Sequence, residues 1–108
     1  MGSISSTSSV SSVTINGVNV TGKVWNVPVA LANTEVSFAL PSKTHKFLLR
    51  PRTPCTIQFS YDVGTSGTDY LTILPRTNFT DENFYASQTI YFQADVAGVV
   101  MEIVTYST

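Results

Sequence analysis

His45 and Cys55 are the only residues of their types in this 108-residue chain, so any Ser-His or Cys-His nucleophilic pair would need His45 as its base. His45 stands between basic neighbours in Lys43-Thr44-His45-Lys46, the setting of a solvated histidine at a strand end. Cys55 lies in an alternating apolar pattern, where a lone thiol behaves as a small core hydrophobe. A single cysteine also excludes an internal disulfide and a multi-cysteine zinc site. No catalytic constellation assembles, and the expectation is a protein without enzymatic activity, cofactor or metal.

The carboxylates support the same expectation. Glu35, Asp62, Asp69, Asp81, Glu82, Asp95 and Glu102 are scattered, and only Asp62 and Asp69 bracket one loop, DVGTSGTD. That loop lacks the closely spaced acids of a calcium site, and its glycines and serine fit a turn between strands. It is not a phosphate-binding loop either, because neither the G-x-x-x-x-G-K spacing nor a following helix is present.

The uneven feature is KTHKFLLRPR, which gathers Lys43, Lys46, Arg50 and Arg52, four of the six basic residues, into ten positions. Lys46, Arg50 and Arg52 share strand parity, with Phe47 and Leu49 facing the other way. Two uses stay open: a positive edge that docks on an acidic protein surface, or lysine and arginine protecting a sheet edge from wrong pairing. Trp25 and the five tyrosines raise a carbohydrate-binding alternative, but no tandem aromatic platform is present, and core or interface packing accounts for them.

The elements that must position these residues are strands. Cys55, Ile57, Phe59 and Tyr61 alternate with Thr56, Gln58 and Ser60. Val36, Phe38 and Leu40 alternate likewise, and Pro41-Ser42 then turns into a strand with Phe47 and Leu49, which predicts a hairpin. Further strands are predicted over Tyr70–Leu74, Thr89–Ala94 and Val99–Tyr106. The last is apolar on both faces and therefore central or covered twice. For FTDENFYAS, residues 79–87, the alternatives are a single helical turn capped by Thr80 or a loop. With no helical stripe elsewhere, the fold class is all-β, an antiparallel β-sandwich or jelly roll of about seven to eight strands, with a tight barrel as the alternative.

The first 22 residues carry no charge. Val13-Thr14-Ile15-Asn16-Gly17-Val18-Asn19-Val20 holds the Asn-Gly signal of a two-residue hairpin. Such a turn pairs Ile15 with Val18 and Val13 with Val20, so four apolar residues share a face that must lie on the sandwich or on another chain. Before it, serines dominate, with Ile4 and Val10 the apolar residues of a flexible arm. The organisation predicted is an arm and hairpin over 1–22 and a single domain over 23–108.

Composition narrows the partners. Only 12% of residues are charged and the net charge is −1, which disfavours a nucleic-acid binder and allows identical subunits to pack closely. Neither a signal sequence nor a membrane-spanning run is apparent, so the expectation is a protein made in the cytoplasm and without a membrane partner. A domain of this size buries roughly 65% of its unfolded surface and gains stability from association.

Across residues 34–106, the stretches TEVSFALPSKTHKFLLRPR, CTIQFSYDVGTSGTDYLTI, TIYFQAD and AGVVMEIVTY resemble small structural proteins of tailed bacteriophages, of the type that decorates or cements an icosahedral head. After YLTIL that pattern calls for a glycine-containing turn, where this chain has Pro75-Arg76-Thr77. The resemblance implies a non-enzymatic capsid decoration (cement) protein on the virion surface. It would bind the major capsid protein, bridge neighbouring subunits and form a homo-oligomer, either dimer or trimer. Candidate capsid or self-interface residues are Ile4, Val10, Val13, Ile15, Val18, Val20, Lys43, Lys46, Arg50 and Arg52. The alternatives are a carbohydrate-binding or tail receptor-recognition module and a head-to-tail connector component.

Overall fold

A computed structural model describes residues 10–15, 17–85 and 87–108, and these are all-β, with nine strands in two antiparallel sheets. The five-stranded sheet runs in the order β1 (Val10–Ile15), β2 (Val18–Val29), β9 (Val99–Ser107), β4 (Thr44–Pro51) and β7 (Phe79–Tyr85). The four-stranded sheet runs β3 (Val36–Ala39), β8 (Thr89–Ala94), β5 (Ile57–Ser60) and β6 (Leu71–Ile73). With β1 set aside, the orders β2-β9-β4-β7 and β3-β8-β5-β6 are those of an eight-stranded jelly roll. β1 is an added edge strand.

Period-two alternation makes the core. Phe47 and Leu49 of β4 and Met101 and Ile103 of β9 point inward from one sheet, and Ile57, Phe59, Ile90 and Phe92 meet them from the other. Each such side chain contributes roughly 1.5–3 kcal/mol by leaving water. At one end Phe59 lies with its ring centroid 4.9 Å from those of both Tyr61 and Phe79. Trp25 meets Phe38 edge-on at 5.5 Å, and both pack against the same core. These aromatics are structural.

β9, apolar on alternate faces, is the middle strand of five, as its pattern predicts. The hairpin expected over residues 36–49 does not form. β3 pairs with β8, and β4 pairs with β9 and β7, so the turn at Pro41–Thr44 carries the chain from one sheet to the other. That turn holds Lys43 at φ 63° and is closed by Thr44 Oγ1 donating to the Pro41 carbonyl at 2.5 Å. Residues 79–85 are neither helical turn nor loop but strand β7, in register with β4 from Phe79 opposite Leu49 to Tyr85 opposite Thr44.

β2 is longer than the Asn-Gly hairpin requires and continues unbroken to Val29. It includes Pro28, which lacks an N–H, and this is tolerated because β1 pairs with β2 only as far as Lys23. Past that point no strand among the described residues pairs with the other side of β2.

Candidate docking site

The hairpin has the expected register, with Ile15 opposite Val18, Val13 opposite Val20 and Val10 opposite Lys23. Gly17 sits at φ 78°, a conformation that costs an L-residue strain and glycine little. Thr14 Oγ1 donates to Asn19 Oδ1 at 3.0 Å on the other face. β9 reaches β2 only from Thr21, opposite Ser107, so Val18–Val20 pair with β1 alone and the hairpin tip extends about 10 Å past the end of β9.

Parity decides which way the hairpin faces. Along β2, Trp25, Val27 and Val29 pack on the core, so Val18, Val20, Gly22 and Val24 belong to the opposite face, where Val24 is exposed while Val20, 2% exposed, and Gly22 are already covered. By backbone register Val13 stands opposite Val20 and Ile15 opposite Val18. The face continues across the sheet as a row formed by Val24, 38% exposed, Val104 opposite it, and Leu48 opposite Val104. Val20 is thus buried outside the main core cluster, on the side of the sheet that carries this row. Ile4 lies outside the described residues, and Val10 enters only as a register position at the start of β1.

Two flanking rows carry the charges. On one side Tyr106, Lys46 and Glu82 are neighbours across β9, β4 and β7, and Lys46 Nζ lies 3.5 Å from Glu82 Oε2. On the other, Glu102 stands opposite Arg50 and accepts from Arg50 Nε at 3.1 Å and from Arg52 Nε at 2.9 Å. The two guanidiniums, Arg52 first, hold the Glu102 carboxyl below its ordinary pKa. Of the predicted strip of Lys46, Arg50 and Arg52, the first two lie on one face of β4 and Arg52 just past its end, each paired with a glutamate, and β4 is not an edge: it lies between β9 and β7. Edge protection does not explain these residues. Lys43 is separate from them, in the turn before β4.

Arg50 and Arg52 also line a cavity of about 300 Å³ whose opposite wall is the turn after β6, including Arg76 and Thr77. In that turn Thr77 N–H donates to the Leu74 carbonyl at 3.3 Å and Arg76 takes φ 64°, the position where a type II turn favours glycine. Neither Arg76 nor Glu102 stands out from residue spacing. The one local signal near Arg76 is the Pro75-Arg76-Thr77 turn, where the resemblance calls for one containing glycine.

The residues weighed for chemistry are placed otherwise. Cys55 is buried, and desolvation, with Asp95 adding to it, pushes its thiol pKa up, opposite to what a thiolate nucleophile needs. His45 is half-buried at the irregularity between Thr44 and Lys46 in β4. The DVGTSGTD loop closes on a half-buried carboxylate: Glu35 accepts from Gly64 N–H at 2.8 Å, Ser66 N–H at 3.1 Å and Ser66 Oγ at 2.6 Å. These bonds, chiefly that from Ser66 Oγ, lower the Glu35 pKa. Among the described residues, no group of three His, Cys, Asp or Glu side chains could hold a metal ion.

What the geometry offers is a surface: an apolar row bounded by paired charges, running onto a projecting hairpin. Compared with protein-family models, with curated proteins and with solved structures, the chain matches none.

Proposed function

We propose that this protein is a non-enzymatic virion structural protein that binds the outside of a phage head and stabilises contacts between major capsid subunits. The observation that carries the reading is the apolar row of Val24, 38% exposed, Val104 and Leu48 on the outer face of the five-stranded sheet. An apolar surface of this kind is retained where a partner covers it. The low charge of the chain and the few net charges on this face suit close packing among many identical copies. Binding to a repeated lattice needs only modest affinity per contact, because neighbouring copies, as dimers or trimers, add avidity.

β1 adds a second mode of contact. As the edge of its sheet it offers backbone donors and acceptors to a strand from a neighbouring subunit, without charge repulsion.

The test is cosedimentation of the purified protein with capsids lacking it, quantified per shell. Saturation at a copy number set by shell symmetry, weakened by Val24→Ser with Val18→Ser, is the expected result. No binding to shells, together with binding to glycans on an array, would overturn the proposal in favour of a receptor-recognition module.

A further inference from the structure

The cavity beside the apolar row has the construction of a carboxylate receptor. Arg50, Arg52 and Arg76 bring three positive charges to it and Glu102 one negative charge. Glu102 engages Arg50 and Arg52 through their Nε atoms, one carboxylate oxygen to each. That arrangement orients both guanidiniums and leaves their η-amino groups for a second acceptor, donors in the paired geometry that suits an oxyanion. Thr77 and Asn78 add polar groups to the wall, and Pro51 and Pro54 close it with apolar rings.

Arg76 supplies an independent observation. It occupies a left-handed position, φ 64°, in a turn that glycine would form without strain. This strained position, like Lys43 at φ 63° in the turn before β4, carries a basic side chain, and that of Arg76 lines the cavity.

We infer that the Arg50, Arg52 and Arg76 cavity receives an aspartate or glutamate side chain of a protein partner. A protein carboxylate fits better than a free anion or an acidic sugar because Leu48 and Val104 of the apolar row lie two positions along the same strands from Arg50 and Glu102. A partner segment seated on that row presents an acidic residue to the cavity about 7 Å away. The choice of a protein partner rests on the shell-binding reading above; the cavity's selectivity for carboxylate is tested separately from it.

The experiment is a titration of the ¹⁵N-labelled full chain, followed at the arginine Nε signals and the amides of Thr77 and Asn78. The probes are an acetylated triglutamate amide, the matching triglutamine, N-acetylneuraminic acid and inorganic phosphate. Saturable shifts at the cavity with triglutamate, absent with triglutamine and suppressed by salt, are expected. Arg76→Gly should weaken the binding at least five-fold while melting no lower than the native protein, since glycine relaxes the turn. Arg76→Gln should show the same loss with the side-chain bulk retained. Equal response to triglutamate and triglutamine overturns the inference, as does unchanged binding by both variants, or binding of sialic acid or phosphate without triglutamate. Triglutamate binding by a protein that ignores capsids would uphold the cavity and remove the shell as its partner. Capsid binding that both variants leave unchanged would do the reverse.

Discussion

Trp25 Nε1 donates to Thr105 Oγ1 at 3.0 Å, joining side chains 80 residues apart on β2 and β9. Thr105 is fully buried, and this bond satisfies an indole N–H at the end of the core. Thr105→Val keeps the shape and strands that N–H, so it should cost about 1–3 kcal/mol. Urea unfolding followed by fluorescence of Trp25, the only tryptophan, checks this. A loss below the error of the extrapolation would show that water replaces the hydroxyl.

Glu35 should make the DVGTSGTD loop acid-sensitive. Its folded pKa lies below the ordinary value of 4.5, so its contribution is present above that value and is lost as pH falls through the folded pKa. Glu35→Gln should therefore lower stability at pH 7 and show a smaller further loss in acid than the native chain does. Amide exchange at Gly64 and Ser66 should rise in the variant at neutral pH, since both donate to Glu35.

Gly17 tests the hairpin without touching the core. A Cβ there meets nothing within 4 Å, so Gly17→Ala adds only the strain of φ 78°, about 1–2 kcal/mol. Exchange should accelerate in β1 and in Val18–Val20 while β4 and β8 stay protected. Binding to capsids should weaken in parallel; unchanged binding would show that the hairpin is not part of the contact.

Cys55 should be inert in the native protein. It is 5% exposed, and its thiol pKa is raised by burial. A maleimide or disulfide reagent should modify it only as the protein opens, with a rate that follows unfolding in denaturant. Fast modification under native conditions would show that the loop before β5 opens on its own.

Strands with their own alternation were legible from sequence: Thr89–Ala94 and the doubly apolar Val99–Ser107 needed no partner to be read. The Asn-Gly turn likewise dictated the pairing of Ile15 with Val18. Pairing between distant strands was not legible. The turn Pro41–Thr44 signals a change of direction, but nothing in it tells whether the next strand joins the same sheet or the opposite one. Asp81 to Asn83 have weak strand propensity, and β7 forms because the side of β4 not taken by β9 is open to it and Tyr61, just after β5, bonds to Asp81. The basic run located Arg50 and Arg52, but Glu102 lies 50 residues further along the chain from Arg52, and only the β4–β9 register joins them.

The place of β9 also bears on how quickly the molecule can assemble. It follows every other strand in chain order, yet it fills the gap between β2 and β4. Until it arrives, β2 and β4 each expose an unpaired side, and the hairpin has no sheet to join. Closing Trp25 against Ile103 requires a loop of about 80 residues, an entropic cost met before its contacts form. Refolding should therefore be slow for a domain of this length, in the millisecond-to-second range of non-local β folds. During that interval the exposed edges are where chains can pair wrongly, so dilution should raise the yield of refolded protein more than it changes the rate.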